Sequence, residues 1–219
     1  MKFIDLSLTY KNGMQYYPSG IHPEVKITQL GFMKKHKRET RKIEMGTHSG
    51  THIDAPRHFL GGNKSVDNIP IENLVGDATV LNFSKLKKKT PVCINDVKKI
   101  IKTRKFPKMI IFRFDWTDKF YGKKNFYFDH PYLTDTLCNW LVKKKIKLLG
   151  VDTPQPDNPK DTLTHRDGIN HKILLGNDIV IVEYLTNLKK IKKKYIKFYC
   201  CPLKIKDGDG SPARCFASE

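Results

Sequence analysis

Between Met45 and His58 the chain runs Met-Gly-Thr-His-Ser-Gly-Thr-His-Ile-Asp-Ala-Pro-Arg-His, which places three of its eight histidines and an aspartate within eleven residues. No other stretch limits the local backbone and the chemistry as tightly. Imidazole nitrogens and carboxylate oxygens hold a divalent first-row ion while leaving coordination positions open to water, the arrangement that hydrolytic metal sites use.

His48, His52, Asp54 and His58 all occupy even positions, so an extended backbone would turn their side chains to one side. A straight strand still cannot gather them. At roughly 3.3 Å per residue, His48 and His52 would lie about 13 Å apart, too far to share an ion. The segment must therefore bend. Gly46 and Gly50 permit the bend, and Pro56 forces Ala55 out of helical space. Ser49-Gly50-Thr51 and Pro56 also argue against a helix carrying His48 and His52 on one face. The expectation is a kinked strand or loop. Any one of these histidines alone would be an ordinary surface or core residue; clustered, they form a metal site whose metal the spacing does not select.

A second feature is Glu183, at the end of the apolar run Ile179-Val180-Ile181-Val182-Glu183-Tyr184-Leu185, which has the pattern of a buried strand. Leaving a buried carboxylate unpaired costs on the order of several kcal/mol, so Glu183 needs water, a cationic partner or a metal ion. Upstream, Asp167 is expected to cap a short helix that carries His171 and runs to Leu175, with Gly176 at its end. A helix followed by a strand can bring His171 to Glu183.

The residues from His48 to Phe59 resemble the defining motif of the cyclase family, which includes the bacterial kynurenine formamidases (arylformamidases). The likeness continues through Gly62 with Val66-Asp67, Phe112-Arg113-Phe114-Asp115-Trp116, Gly150-Val151-Asp152-Thr153-Pro154 and Asp209-Gly210-Ser211-Pro212-Ala213-Arg214. The resemblance implies that His48, His52 and Asp54 bind one ion, and that Asp54 bridges to a second ion held by His171 and Glu183. It implies His58 as the proton carrier and Tyr17 as a residue against the substrate. His165 falls outside the family pattern and reads as a surface loop residue. Three positions depart from the family: Tyr17 replaces the tryptophan of kynurenine formamidases, Phe114 stands where threonine is common, and Tyr184 where asparagine is common.

The implied activity is metal-dependent hydrolysis of a small amide. N-formylkynurenine is the leading substrate, and isatin-like lactams or other acylated amides are the alternatives. One or two divalent ions are expected, zinc first and manganese second for this ligand mix. An arylamine leaving group needs a proton as its C–N bond breaks, and an imidazole of pKa about 6.5 can carry it. Homodimers or larger assemblies are expected from the resemblance alone.

A chain of 219 residues can bury about 70% of its unfolded surface in one core, so a single domain spanning residues 1–219 is expected. No segment approaches the roughly 20 apolar residues of a membrane span, and Met1-Lys2-Phe3-Ile4-Asp5 lacks a signal-peptide core; a cytoplasmic protein is expected. The five cysteines form no Cys-x-x-Cys pair and are expected to be reduced, with Cys200 and Cys201 alternating across a strand.

Strand-like runs occur at residues 3–8, 24–30, 41–44, 78–83, 109–114, 147–151, 179–183 and 197–203, and helical patterns at 95–102 and 134–145. Residues 61–64 and 118–129 read as loops, the latter long enough to cover a site, and Asp207-Gly208-Asp209-Gly210 as a turn. The fold class expected is α/β, a single domain with a central mixed, barrel-like β-sheet flanked by helices. A formal charge of +19 raises the competing reading of a basic nucleic-acid-binding protein with a non-catalytic metal site. Its clusters, at Lys85 to Lys89, Lys98 to Lys105, Lys143 to Lys147 and Lys189 to Lys197, are mostly lysine and lack an accompanying fold motif, which favours solvated surface or steering of an anionic substrate. A closed structural zinc shell usually includes thiolates, whereas this cluster has only His and Asp with a histidine to spare, which favours an enzyme.

Overall fold

The computed structural model describes residues 1–102, 106–162 and 164–219. Its strands are β1 (Phe3–Asp5), β2 (Lys26–Gly31), β3 (Thr40–Glu44), β4 (His52–Asp54), β5 (Val75–Asn82), β6 (Pro91–Val92), β7 (Met109–Arg113), β8 (Tyr132–Leu133), β9 (Leu148–Val151), β10 (Val180–Glu183), β11 (Tyr195–Pro202) and β12 (Gly210–Ser218). The helices are α1 (Met33–His36), α2 (Arg57–Leu60), α3 (Ile94–Ile100), α4 (Trp116–Phe120), α5 (Asp135–Lys143) and α6 (Ile169–Leu175).

The main sheet runs β1-β12-β11-β5-β7-β9-β10-β4, and β4 pairs back onto β12. The strands from β12 round to β4 therefore close into a barrel, with β1 added to β12. β5, β7, β9 and β10 are parallel neighbours, while the remaining joins are antiparallel. The expected mixed, barrel-like α/β architecture is the observed one.

Alternation along the parallel strands explains their continuous apolar runs. Ile111, Leu148, Val180 and Val182 belong to one buried cluster with Ile53, Phe198 and Cys215, whereas Ile110, Phe112, Leu149 and Ile181 belong to another with Val97, Leu137, Leu141 and Leu174 of the helices. Each strand thus feeds the barrel interior on one face and the helical layer on the other. Each such fully buried side chain contributes about 1.5–3 kcal/mol. α5 shows the expected stripe: Leu137 and Leu141 are buried, Trp140 is partly so, and Thr134 Oγ1 accepts from Leu137 N at 3.2 Å. Cys200 is buried and Cys201 exposed, as alternation predicts.

Three local expectations are corrected. Residue 167 does not cap α6; Gly168 holds that position at φ 64°, a left-handed value that favours glycine, and a Cβ there would meet the Phe59 ring at 2.1 Å. The segment 118–129 opens as the end of α4, and Phe126 and Tyr127 are buried in the outer core instead of forming a cover. The turn at 207–210 leads directly into the nine-residue strand β12, which Gly210 and Pro212 disguise. Pro212 is accommodated because it sits where β12 changes partner: Gly210 to Pro212 pair with β4, and Ala213 onward pairs with β11. The end of the basic run at Lys98 to Lys105 lies outside the described residues. Among those described, no helix is long and apolar enough to cross a membrane.

Candidate metal centre

β4 is wedged between β10 and β12, in register His52↔Glu183 and His52↔Pro212, with Asp54 opposite Ile181 and Gly210. His52 and Asp54, two residues apart on an extended strand, therefore share a side, and Glu183 is the cross-strand neighbour of His52. Gly50, at φ 57°, turns the chain just before the strand, and a Cβ there would press on Tyr10 and Met14 at 3.1 Å. That turn brings His48 back beside His52, their ring centroids 5.1 Å apart. Beyond the strand, Pro56 leads into α2, which presents His58 in a stack with His48 at 3.9 Å. The expected kinked strand is thus a short strand between a glycine turn and one helical turn.

α6 supplies His171. Its Nε2 lies 3.1 Å from Glu183 Oε1 and 3.3 Å from Asp54 Oδ2. His52 Nε2 lies 3.3 Å from Asp54 Oδ1 and 3.4 Å from Glu183 Oε2, and His48 Nδ1 lies 2.8 Å from Asp54 Oδ1. Ligand atoms of His48, His52 and Asp54 all lie within 4.8 Å of one another, and so do those of Asp54, His171 and Glu183. Asp54 belongs to both groups, one oxygen toward each. A third group of the same kind joins His48, His58 and Asp209.

The remaining ring nitrogens are engaged as well. His52 Nδ1 meets Gly50 O at 2.8 Å, His171 Nδ1 meets Asp157 Oδ2 at 2.5 Å, and His48 Nε2 meets Asp209 Oδ2 at 2.8 Å. Outer acceptors of this kind fix the tautomer and aim of a metal-binding imidazole. Asp54 Oδ2, wholly buried, makes no well-aligned hydrogen bond among the described residues and has only the 3.3 Å approach of His171 Nε2. A buried carboxylate oxygen in that state is where a cation is wanted, so the donor set fits a divalent ion by charge, atom type and position.

Electrostatics follow from this crowding. Burial opposes charge on His48, yet hydrogen bonds to Asp209 and Asp54 outweigh it and raise the imidazole to about 10. His171 is raised in the same way by Asp157, Asp54 and Glu183 against its burial. Asp54 is held well below the carboxylate range by its three histidines despite burial, while burial and the Asp54 charge push Glu183 up. His58 is lowered, chiefly by burial, although Asp209 Oδ2 sits 3.3 Å from its Nδ1.

The centre opens into a cavity of about 350 Å³ lined by His48, His52, His58, His171 and Glu183 on one side and by Tyr17, His22, Phe59 and Tyr184 among others. Tyr17 packs edge-on against Tyr127 at 5.1 Å, so the 118–129 segment backs the aromatic wall. Among the described residues no Lys or Arg lines this cavity. The basic surplus therefore lies outside the site, and any steering acts from the outer surface. A larger groove of about 700 Å³ crosses β5 and β11 without a metal-ligating cluster among the described residues. His165 is exposed, as expected.

Asp157, Asp209 and His22 escape the sequence reading. Asp157 also accepts from Asn170 N at 2.7 Å, so its carboxylate, not that of Asp167, serves the start of α6. Asp209 is anchored by its carbonyl, which accepts Ala55 N at 2.9 Å, and its position in the last motif was the one signal for it.

Residues 4–158 match the profile of the family described as "Putative cyclase". A kynurenine formamidase of Geobacillus thermodenitrificans (strain NG80-2) is 31% identical over 173 residues, covering 79% of this chain and 77% of the relative. That of Bacillus anthracis is 28% identical over 216 residues, covering 97% and 95%. Among solved structures, isatin hydrolase A from Labrenzia aggregata, bound to benzyl benzoate, superposes with a TM-score of 0.87 at 24% identity, covering 99% of this chain and 93% of that one.

Proposed function

The chain belongs to the cyclase family, and on that premise we propose that it is a metal-dependent hydrolase of small N-acylated arylamines, with N-formylkynurenine as the leading substrate and isatin-like lactams second. The observation that carries this reading is the pair of ligand groups sharing Asp54, with a further histidine beside them. A structural site would have no use for His58.

His48, His52 and Asp54 would hold one ion, and Asp54, His171 and Glu183 would hold a second where two are bound. Zinc is the first expectation and manganese the alternative. When bound, the ion supplies charge that polarises a carbonyl and acidifies water. The protein's own part is positioning and proton transfer. Burial keeps His58 neutral near pH 7, and Asp209 holds its Nδ1 side, leaving Nε2 to take a proton and pass it to the departing amine. Tyr17, aromatic like the tryptophan it replaces, gives the substrate ring a face to rest on. A cytoplasmic homodimer is the working expectation for the assembled enzyme.

The test is elemental analysis of protein purified without chelator, followed by hydrolysis assays on N-formylkynurenine and isatin with zinc and with manganese. Hydrolysis that requires the metal supports the reading; a metal-loaded protein inert toward both compounds and toward simple formanilides overturns it.

A further inference from the structure

One cavity residue is absorbed neither by the metal groups nor by the proton carrier. His22 follows a tight turn in which Ser19 N meets Tyr17 O at 2.8 Å and His22 N meets Ser19 O at 3.4 Å. Its Nδ1 is tied to Ser19 Oγ at 2.6 Å, so the ring is fixed to the turn. Pro23, next in the chain, packs against Gly46, where a Cβ would meet Pro23 Cδ at 2.9 Å; the turn is therefore seated on the segment that carries His48. The ring lies between Tyr17, with centroids 5.5 Å apart, and His48, with centroids 6.1 Å apart. Its Nε2 has no hydrogen-bond partner among the described residues.

We infer that His22 is a specificity-determining residue whose Nε2–H donates a hydrogen bond to the oxygen of a ketone attached to the ring carbon ortho to the substrate's acylated nitrogen. This rests on the hydrolase reading above and narrows it to one substrate feature. The assignment requires the tautomer in which the Ser19 hydroxyl donates to Nδ1 and the ring proton sits on Nε2, a direction that the 2.6 Å contact accommodates. A substrate ring resting on Tyr17 with its amide carbonyl at the metal ligands has its ortho position alongside His22. Formylkynurenine and isatin both carry a carbonyl there; formanilide does not. Among the described residues no Lys or Arg lines the cavity, so the imidazole of His22, beside Tyr17, is the donor the site offers such an oxygen.

The experiment compares kcat/KM for N-formylkynurenine and for formanilide in the metal-loaded wild type, His22→Phe and His22→Gln. Removing one hydrogen bond to a bound polar group should lower the ratio of the two values about tenfold in His22→Phe, with Gln, which keeps a donor, restoring most of it. Calorimetric binding of 2-aminoacetophenone, a product-like arylamine that keeps the ketone, gives a readout independent of turnover and should weaken in His22→Phe relative to aniline. An unchanged ratio, or equal losses on both substrates, overturns the assignment to His22. A wild type that hydrolyses neither compound overturns the parent reading, and this one with it.

Discussion

His58 and Asp157 show how different two residues beside one centre are in what they do. His58 shares a stack with His48 and a carboxylate with it and lies edge-on to His171 at 6.2 Å, but it belongs to neither ligand group that contains Asp54. His58→Ala should therefore keep its metal and lose roughly 10²-fold or more in turnover. Metal analysis beside the rate decides it, since loss of the ion would make His58 a ligand. Asp157 meets His171 at its far nitrogen and otherwise accepts the Asn170 N–H at the start of α6. Asp157→Asn should weaken metal affinity about 10–100-fold while sparing most of the rate at saturating metal. A metal titration that overlays the wild type would remove Asp157 from the centre.

At the scale of elements, the centre depends on how closely β12 lies against the histidine segment. A Cβ on Gly210 would fall 2.5 Å from His48 Cε1 and 2.9 Å from Ile53 O. Backbone cannot give way as a side chain can, so Gly210→Ala should displace His48 and lower metal occupancy at an otherwise folded barrel; full occupancy by elemental analysis would contradict this. The same strand marks where sequence reasoning stops. The parallel strands were legible because burial on both faces writes a continuous apolar run, and His48, His52, Asp54 and His58 were legible because they are close in sequence. β12 was not, since Gly210 and Pro212 are poor strand formers tolerated only where the ladder changes partner. Asp157 and Asp209 were not, because each is a single acid in a loop whose partner is 14 or 161 residues away. His22 sits among Gly and Pro with no local pattern at all.

For the whole molecule, the barrel's closure, with β12 paired along β4, lets β4, β10 and α6 bring His52, Asp54, Glu183 and His171 to one buried point, and the resulting charges make the centre compete for protons. His48 is raised to about 10 and His171 is raised as well, so both imidazoles hold protons at neutral pH that an ion must displace. Since lower pH supplies more of the competitor, zinc affinity should rise as pH rises from about 6 to 8, by about tenfold per unit for each proton released. Calorimetry in buffers of different ionisation heat reads the proton count directly; a pH-independent affinity would mean that the imidazoles are not the ligands. An ion bound at a hundred times its dissociation constant also adds about 2.7 kcal/mol of stability, which a chelator should remove.

The central claim is that Asp54 joins two ligand groups into one cation site. Equilibrium dialysis against zinc or manganese, followed by elemental analysis of wild type and Asp54→Ala, tests it most directly. The wild type should retain at least one ion per chain and the variant little or none. An ion-free wild type, or equal metal in both proteins, would contradict the account.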